Sequence, residues 1–316
     1  MPNYAPLIRQ NLHHLRQPEP FLPFDNPTFA NPDFDTASCR VLIGRLSPFH
    51  DVDRSMPHLF LFHEARQALP DAFIDLAFFP TADMRTLFDR EGIPYLLGSQ
   101  SLRSAAEFDL LLISNSYTLE LVNLPYLLMR SSIPLFASQR GHEWPLIVLG
   151  GSNALAAQAI IREDGDSLVD GIFFGEGEGL VGRLVALLAS HRSGDRRQLL
   201  EQAACETLGF WVAGSRRRTV KATCTPDANW LPVEYPILNS PEAHTARLQI
   251  AYGCPAFCSF CFEGYDRKPY RELPLPDLLA AARRLKQAQG IEELDLYAFN
   301  FNTHTDILAL LPELHR

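Results

Sequence analysis

The chain has 316 residues, 47% of them hydrophobic, and a formal net charge of −9 at pH 7. That length suggests roughly two domains of about 150 residues each, and the acidic balance argues against a nucleic-acid-binding face, which would show as a basic patch. No apolar run approaches the roughly 18 residues of a membrane span, and the opening segment lacks the apolar core of a signal peptide.

Three of the six cysteines, Cys39, Cys205 and Cys224, are scattered, and the six make no disulfide framework. A reducing cytoplasm is the expected compartment. Residues 18–35, "PEPFLPFDNPTFANPDFD", are too rich in Pro and Asn for a helix or a central strand, so residues 1–38 read as an extended arm lying over a domain. "RVLIGRL" (40–46), "AFIDLAFF" (72–79), "DLLLISNS" (109–116), "PLIVLGG" (145–151) and "DGIFFGEGEG" (170–179) are apolar runs that read as five strands. Helical patterns alternate with them, including "PHLFLFHEARQAL" (57–69) and "ADMRTLFDREG" (82–92), the latter stopped by Gly92. Continuous rather than alternating apolar runs mean strands covered on both faces, and the alternation with helices predicts a parallel, doubly wound α/β sheet over residues 39–195.

Residues 196–245 read as a hairpin and linker. "GFWVAGSRRRTVKATC" alternates as a hairpin turning at Gly214 and Ser215, its basic run a solvated tip, and "PDANWLPVEYPILNSPE" carries four prolines. A second strand–helix series starts at 246: a strand "ARLQIAYG" (246–253), a helix "LPDLLAAARRLKQAQG" (275–290), a strand "LDLYAFN" (294–300) and the start of a helix in "THTDILALLPELHR".

Cys254, Cys258 and Cys261 follow the first strand of that series with the spacing C-x3-C-x2-C. Loops at the carboxyl ends of strands are where α/β sheets and barrels build their sites. Three thiolates suit a 4Fe–4S cluster with one iron left open. Structural zinc is the alternative, but it takes four ligands, and His244 is the nearby candidate for the fourth.

The stretch resembles the signature of the radical S-adenosylmethionine (SAM) superfamily, C-x3-C-x-aromatic-C, with Phe260 in the aromatic position. The resemblance implies that Cys254, Cys258 and Cys261 hold the cluster, that its open iron binds the amino and carboxylate groups of SAM, and that one electron cleaves SAM to a hydrogen-abstracting 5′-deoxyadenosyl radical. It implies an external one-electron reductant such as flavodoxin or ferredoxin, and a small-molecule substrate. Gly253 and Pro255 are expected to shape the loop. Arg267 and Arg271 either neutralise anionic groups there or form surface ion pairs. The second strand of the superfamily ends in a Gly-Gly-Glu-like segment, whereas this chain has "AFNFNTH". Asn300 or Asn302 supplies the SAM contact there, or the segment is an ordinary turn in which Thr303 caps the last helix.

Residues 39–195 are similar to the cobalamin-binding domain that precedes the radical barrel in one branch of the superfamily, a flavodoxin-like, five-stranded sheet. Gly150 and Gly151 match the Gly-Gly ending its fourth strand, and Gly175 and Gly177 fall in the Gly-Glu-Gly-Glu after its fifth. "SMPHL" (55–59) matches the start of its first helix, and Ser114 or Ser116 is placed to hydrogen-bond the nucleotide tail. The histidine-ligating variant carries D-x-H-x-x-G, and His50 lacks both flanking residues, so no protein ligand to cobalt is expected. "GEGLVG" (177–182) fits G-x-G-x-x-G, yet Glu176 and Glu178 put carboxylates where a pyrophosphate would bind.

The expectation is a cobalamin-binding radical SAM protein, with methyl transfer to an unactivated centre in the complete protein. The alternatives are a radical enzyme of the same branch without cobalamin, or a non-catalytic zinc or cluster module. Only two strand–helix units follow residue 245, so the chain reads as truncated within a partial TIM barrel of the radical SAM type, and by itself is expected not to turn over SAM.

Overall fold

The computed structural model describes residues 4–23, 30–190, 194–233, 235–236 and 244–315. Parts of the arm and of the linker read from the sequence lie outside these residues. The chain divides into two compact units, the first ending at Thr223 and the second starting at Cys224.

The first unit is built on β1 (Arg40–Arg45), β2 (Phe73–Ala77), β3 (Leu110–Ser114), β4 (Leu146–Gly150), β5 (Gly171–Phe173) and β6 (Phe210–Val212) in the order β2-β1-β3-β4-β5-β6. The first five are parallel, and β6 joins the edge antiparallel to β5. The sheet therefore has six strands rather than the expected five. The extra strand comes from the segment read as a hairpin. Its second arm does not fold back on β6: Ala222 instead bridges Gly175, and the two backbones exchange bonds through Ala222 N to Phe174 O and Glu176 N to Ala222 O. Local alternation in the sequence cannot say which neighbour a strand chooses, and here the open edge of β5 supplied the partner.

Strands β2 and β3 are buried at every position, as their unbroken apolar runs require. On one face Leu42, Leu111, Ile113, Ile147 and Leu149 form a single core with Phe88, Leu124, Leu127 and Leu128 from the covering helices Ala82–Glu91 and Asn123–Arg130. Each such side chain contributes roughly 1.5–3 kcal/mol of burial. Ile8, from the short helix Ala5–Asn11 of the N-terminal arm, joins the same core. On the other face, helices Pro57–Ala68 and Val181–Leu188 pack together. Their contact is close because Gly182 has no side chain, and its N–H donates to Glu64 Oε2 at 3.1 Å. At the amino end of β5, buried Asp170 is held by Arg140 Nη2 at 3.2 Å, Arg196 Nη2 at 3.0 Å and the Ile147 amide at 2.8 Å.

The second unit contains β7 (Thr245–Gln249), β8 (Ala251–Tyr252), β9 (Arg271–Glu272) and β10 (Glu293–Tyr297). β7 and β10 pair in parallel, with Arg247 opposite Asp295, and the helix Leu275–Gln289 packs on β7. Pro276 lies in its first turn and Gly290 closes it with a left-handed φ of 61°. The single strand expected over 246–253 is two short ones. At Ile250 the chain changes partner: its amide donates to Tyr297 O, its carbonyl accepts from Leu273 N, and β8 pairs antiparallel with β9. The last helix is Ile307–Leu314, shorter than expected, and Asp306 rather than Thr303 occupies its N-cap. Among the described residues no helix is long and apolar enough to cross a membrane.

Candidate functional site

The cysteine loop leaves β8 through Gly253. Its φ is +73°, and a Cβ there would stand 2.5 Å from Pro269 O and 2.6 Å from Arg267 O, so only glycine fits. The Cys254 amide donates to Arg267 O at 2.9 Å. Lys268 closes the loop: its ammonium donates to the carbonyls of Cys254 and Ala256 and lies 3.7 Å from the centroid of Phe257. Cys261 N donates to Cys258 O at 3.0 Å, and Cys261 precedes the short helix Phe262–Asp266. Arg267 Nε pairs with Glu263 at 2.8 Å and Asp266 at 3.5 Å. Arg271 donates to the carbonyls of Pro269 and Cys224. Each arginine therefore has local partners.

The three thiols are free, Cys258 exposed and the other two half-buried. Among the described residues no three His, Cys, Asp or Glu side chains stand as a ready-made metal site. The three sulfurs share one loop without forming a closed ligand set. His244 lies at the opposite end of β7 from the cysteines. At about 3.3 Å per residue the intervening strand carries it well out of reach as a fourth ligand to them. Phe260 is 90% exposed beside the thiols, with Phe257, Phe262 and Tyr265 also exposed.

The loop after β10 is tied to the same end of the unit. Thr303 Oγ1 donates to Asn300 O at 2.8 Å and meets Tyr270 Oη at 3.4 Å. Tyr270 and the Thr305 amide both donate to Glu272 on β9. Burial pushes the Glu272 carboxyl up, but the bonds from Thr305 and Tyr270 outweigh it and hold the group below the ordinary glutamate value. Asn300 opens the turn Phe301–Thr303, and Asn302 is exposed within it.

In the first unit, Ser114 ends β3 and Ser116 follows it at the carboxyl edge of the sheet. Ser114 is buried, with no hydrogen-bond partner for Oγ among the described residues. Ser116 Oγ accepts from Arg45 Nη2 at 3.0 Å. Sequence reading missed the buried Glu120 that organises this edge. It accepts from Ser47 Oγ at 2.5 Å, Asn115 Nδ2 at 3.2 Å, and the amides of Ser116 at 2.7 Å and Tyr117 at 3.1 Å. Asn153, from the loop after β4, donates to Asn115 Oδ1 at 3.1 Å. The available signal was the single arginine in "VLIGRL" and the polar cluster "SNSYTLE" at a strand end. Outside this network Tyr117, Leu119 and Val122 present apolar side chains to solvent.

The glycines of this edge have internal reasons. Gly151 has φ +109°, and a Cβ would meet Asn115 O at 2.3 Å; for Gly175, at φ +113°, it would meet Ala222 O at 2.1 Å. At Gly177 the obstacle is the Val181 side chain at 2.7 Å, while Gly150 has ordinary room, 3.6 Å from Phe173 O. His50 is half-buried in a short helical turn, 3.3 Å from Glu19 and 4.0 Å from Asp53.

The family described as radical SAM proteins, N-terminal, matches residues 59–212. The ribosomal protein uS12 methylthiotransferase RimO of Myxococcus xanthus is 33% identical over 91 residues, 28% of this chain and 19% of that protein. The RimO of Geobacter sulfurreducens is 42% identical over 77 residues, 24% of this chain and 17% of its own length. The tRNA-2-methylthio-N(6)-dimethylallyladenosine synthase of Halorhodospira halophila is 33% identical over 95 residues, 29% and 20% respectively. Among solved structures, the radical SAM methyltransferase TsrM from Kitasatospora setae, with tryptophan and a SAM analogue bound, superposes with a TM-score of 0.52 at 15% identity. It covers 87% of this chain and 50% of its own, which shows a shared fold. The matches thus span about a fifth of the curated relatives and half of the solved chain. The match to the family of radical SAM N-terminal regions falls on the first unit and the cysteine signature on the second, and both are features this chain shares with radical SAM proteins.

Proposed function

We propose that Cys254, Cys258 and Cys261 hold a 4Fe–4S cluster and that the complete protein cleaves SAM reductively, using cobalamin on the first unit to transfer a methyl group to an unactivated centre. The observation that carries this reading is the cysteine loop: three free thiols at signature spacing, at the carboxyl end of a strand, on a loop pinned by Gly253 and Lys268. The donor set fits the group, since soft thiolates select iron–sulfur chemistry and three of them leave one iron open. Such a cluster, when bound, supplies the electron that breaks the sulfonium bond of SAM.

The chain's own residues hold and orient. Lys268 fixes the carbonyls of the loop and keeps a positive charge beside thiolates that would repel one another. Exposed Phe260 offers a flat apolar face for stacking the adenine, and Asn300 and Asn302 offer amide groups for the methionyl end. In the first unit the carboxyl edge where the strand order reverses is the place a cofactor occupies in open α/β sheets. Gly150, with room beside it, and Ser114, with its free hydroxyl, face that use. The exposed Tyr117, Leu119 and Val122 would be covered by a large apolar macrocycle. A one-electron protein reductant and a small-molecule substrate belong to the same proposal. The test is to reduce the reconstituted complete protein with dithionite in the presence of SAM and quantify 5′-deoxyadenosine and methylated product. Formation of neither would defeat it.

A second reading, the same radical chemistry without cobalamin, is favoured by one observation. Gly151 and Gly175 are both required by packing of the chain on itself, so they need no ligand to explain them. Titration with hydroxocobalamin separates the two, since only the first predicts saturable binding.

A further inference from the structure

One group at the carboxyl edge of the first sheet is left unsatisfied by the chain itself. Arg45 ends β1 and is 1% exposed. Its Nη2 donates to Ser116 Oγ, but Nε and Nη1 have no partner among the described residues. Its register neighbour on the adjacent strand, Ser114, is equally buried and also has a free Oγ. Burial lowers the Arg45 guanidinium below the ordinary arginine value, while nearby Glu120 pulls it back up. Glu120 itself is saturated by its four donors.

The structural arginines of the same unit leave less over: Arg140 has Nε alone without a partner among the described residues. Arg196, in the same unit, satisfies its guanidinium with Asp170 and the carbonyls of Gly141, Trp144 and Pro145. Buried polar groups are nearly always paired, and a donor left over marks a partner that the chain does not provide. Arg45 and Ser114 lie on β1 and β3, the two strands between which the order reverses.

We propose that Arg45, with Ser114, forms a subsite for an oxygen acceptor of the ligand held over this edge. The unpartnered Nε and Nη1 nitrogens of the guanidinium donate to a carboxamide or phosphate oxygen. Because Glu120 stands beside Arg45, the pair is near neutral, so the acceptor need not be charged. This rests on the cobalamin reading: that ligand carries neutral carboxamides around its ring and a phosphodiester in its tail, and both present the required acceptor. Ser116, which accepts from Arg45, is followed by the exposed side chains of Tyr117, Leu119 and Val122, so a ligand lying over them reaches the guanidinium by displacing the Ser116 hydroxyl, with Glu120 left in place.

The experiment uses the full chain and two variants, Arg45→Met and Arg45→Lys. Each is titrated with hydroxocobalamin and with cobinamide, which lacks the phosphate and nucleotide, and its thermal unfolding is followed without ligand. The expected result is unfolding at or above the wild-type temperature together with hydroxocobalamin binding weakened at least tenfold, as loss of a hydrogen bond to a charged group implies. Weakening for both ligands places the acceptor among the ring amides, and weakening for hydroxocobalamin alone places it in the tail. Either supports the subsite. Should Arg45→Met fail to fold beside Glu120, Arg45→Lys keeps the charge and decides. Unchanged affinity in a folded variant overturns the subsite alone. Absence of binding by the wild-type chain overturns the cobalamin reading and the subsite with it.

Discussion

The two units place their candidate sites in opposite physical settings. At the carboxyl edge of the first sheet, the polar groups are buried and bonded to one another from side chains far apart in sequence: Ser47, Asn115, Glu120 and Asn153. In the second unit the thiols sit on a single loop of eight residues beside exposed aromatics, and the strands behind them form two two-stranded pairs, β7 with β10 and β8 with β9. A site assembled from many strands must be rigid before ligand arrives, whereas a metal can gather donors that are already neighbours in the chain. The first unit therefore invests in scaffold and the second in donor chemistry.

The largest expected effect tests that scaffold. Asp170→Ala leaves Arg140 and Arg196 buried without their carboxylate and should cost about 3–5 kcal/mol, read as a lower urea midpoint in chemical unfolding. A loss below about 1 kcal/mol, within the range of surface pairs, would mean the ion pair is not part of the fold's support.

Next come the glycines, which sharpen the contrast within one strand end. Gly151→Ala places a methyl against the Asn115 carbonyl at a left-handed φ and should destabilise by about 1–3 kcal/mol, while Gly150→Ala, with ordinary room, should be nearly neutral. Equal losses at both positions would show that the internal packing of Gly151 is not what requires glycine. In the second unit, Gly253→Ala should lower the iron bound per chain after reconstitution, because the methyl collides with Pro269 O and opens the loop.

A smaller effect is expected at Lys268. Its bonds to the Cys254 and Ala256 carbonyls organise the loop, and hydrogen bonds from charged groups are worth roughly 1.5–3 kcal/mol. Lys268→Met should leave all three cysteines in place yet retain the cluster several-fold less well on gel filtration, and Lys268→Arg should recover part of the loss. Retention equal to wild type in Lys268→Met would assign the lysine to the surface.

These contrasts explain what could be read in advance. The unbroken apolar runs of β1 to β5 announced a buried parallel sheet, and Gly92 and Gly290 stop their helices with left-handed caps where the sequence placed them. The cysteine site is linear, so its spacing was visible without a fold. The first unit's network was not, because nothing local to Ser47 or Glu120 reveals that β1 and β3 bring them within hydrogen-bonding distance. Strand β6 was misassigned for a related reason: its partner is chosen by the open edge of β5 and not by its own alternation. The splitting of the 246–253 strand at Ile250 likewise depends on Leu273 and Tyr297, far along the chain.

The smallest effect concerns pH. Burial raises the Glu64 carboxyl above its ordinary value, against the bonds it accepts from the Gly182 and Gly179 amides. The folded state therefore holds this proton more tightly than the unfolded chain, and stability falls as pH rises from the ordinary glutamate value through the raised one. Glu64→Gln should flatten that part of the stability profile and leave it unchanged well below the ordinary glutamate value. An unaltered slope in the variant would place the pH dependence elsewhere.

The most direct test of the central claim is anaerobic reconstitution of the full chain with iron and sulfide, followed by metal and labile-sulfide analysis of the wild type and of the Cys254→Ala, Cys258→Ala and Cys261→Ala variants. The account predicts a brown protein with matched iron and sulfide that each single substitution depletes and the triple substitution abolishes. Stoichiometric zinc without labile sulfide, or an undiminished cluster in the triple variant, would contradict it.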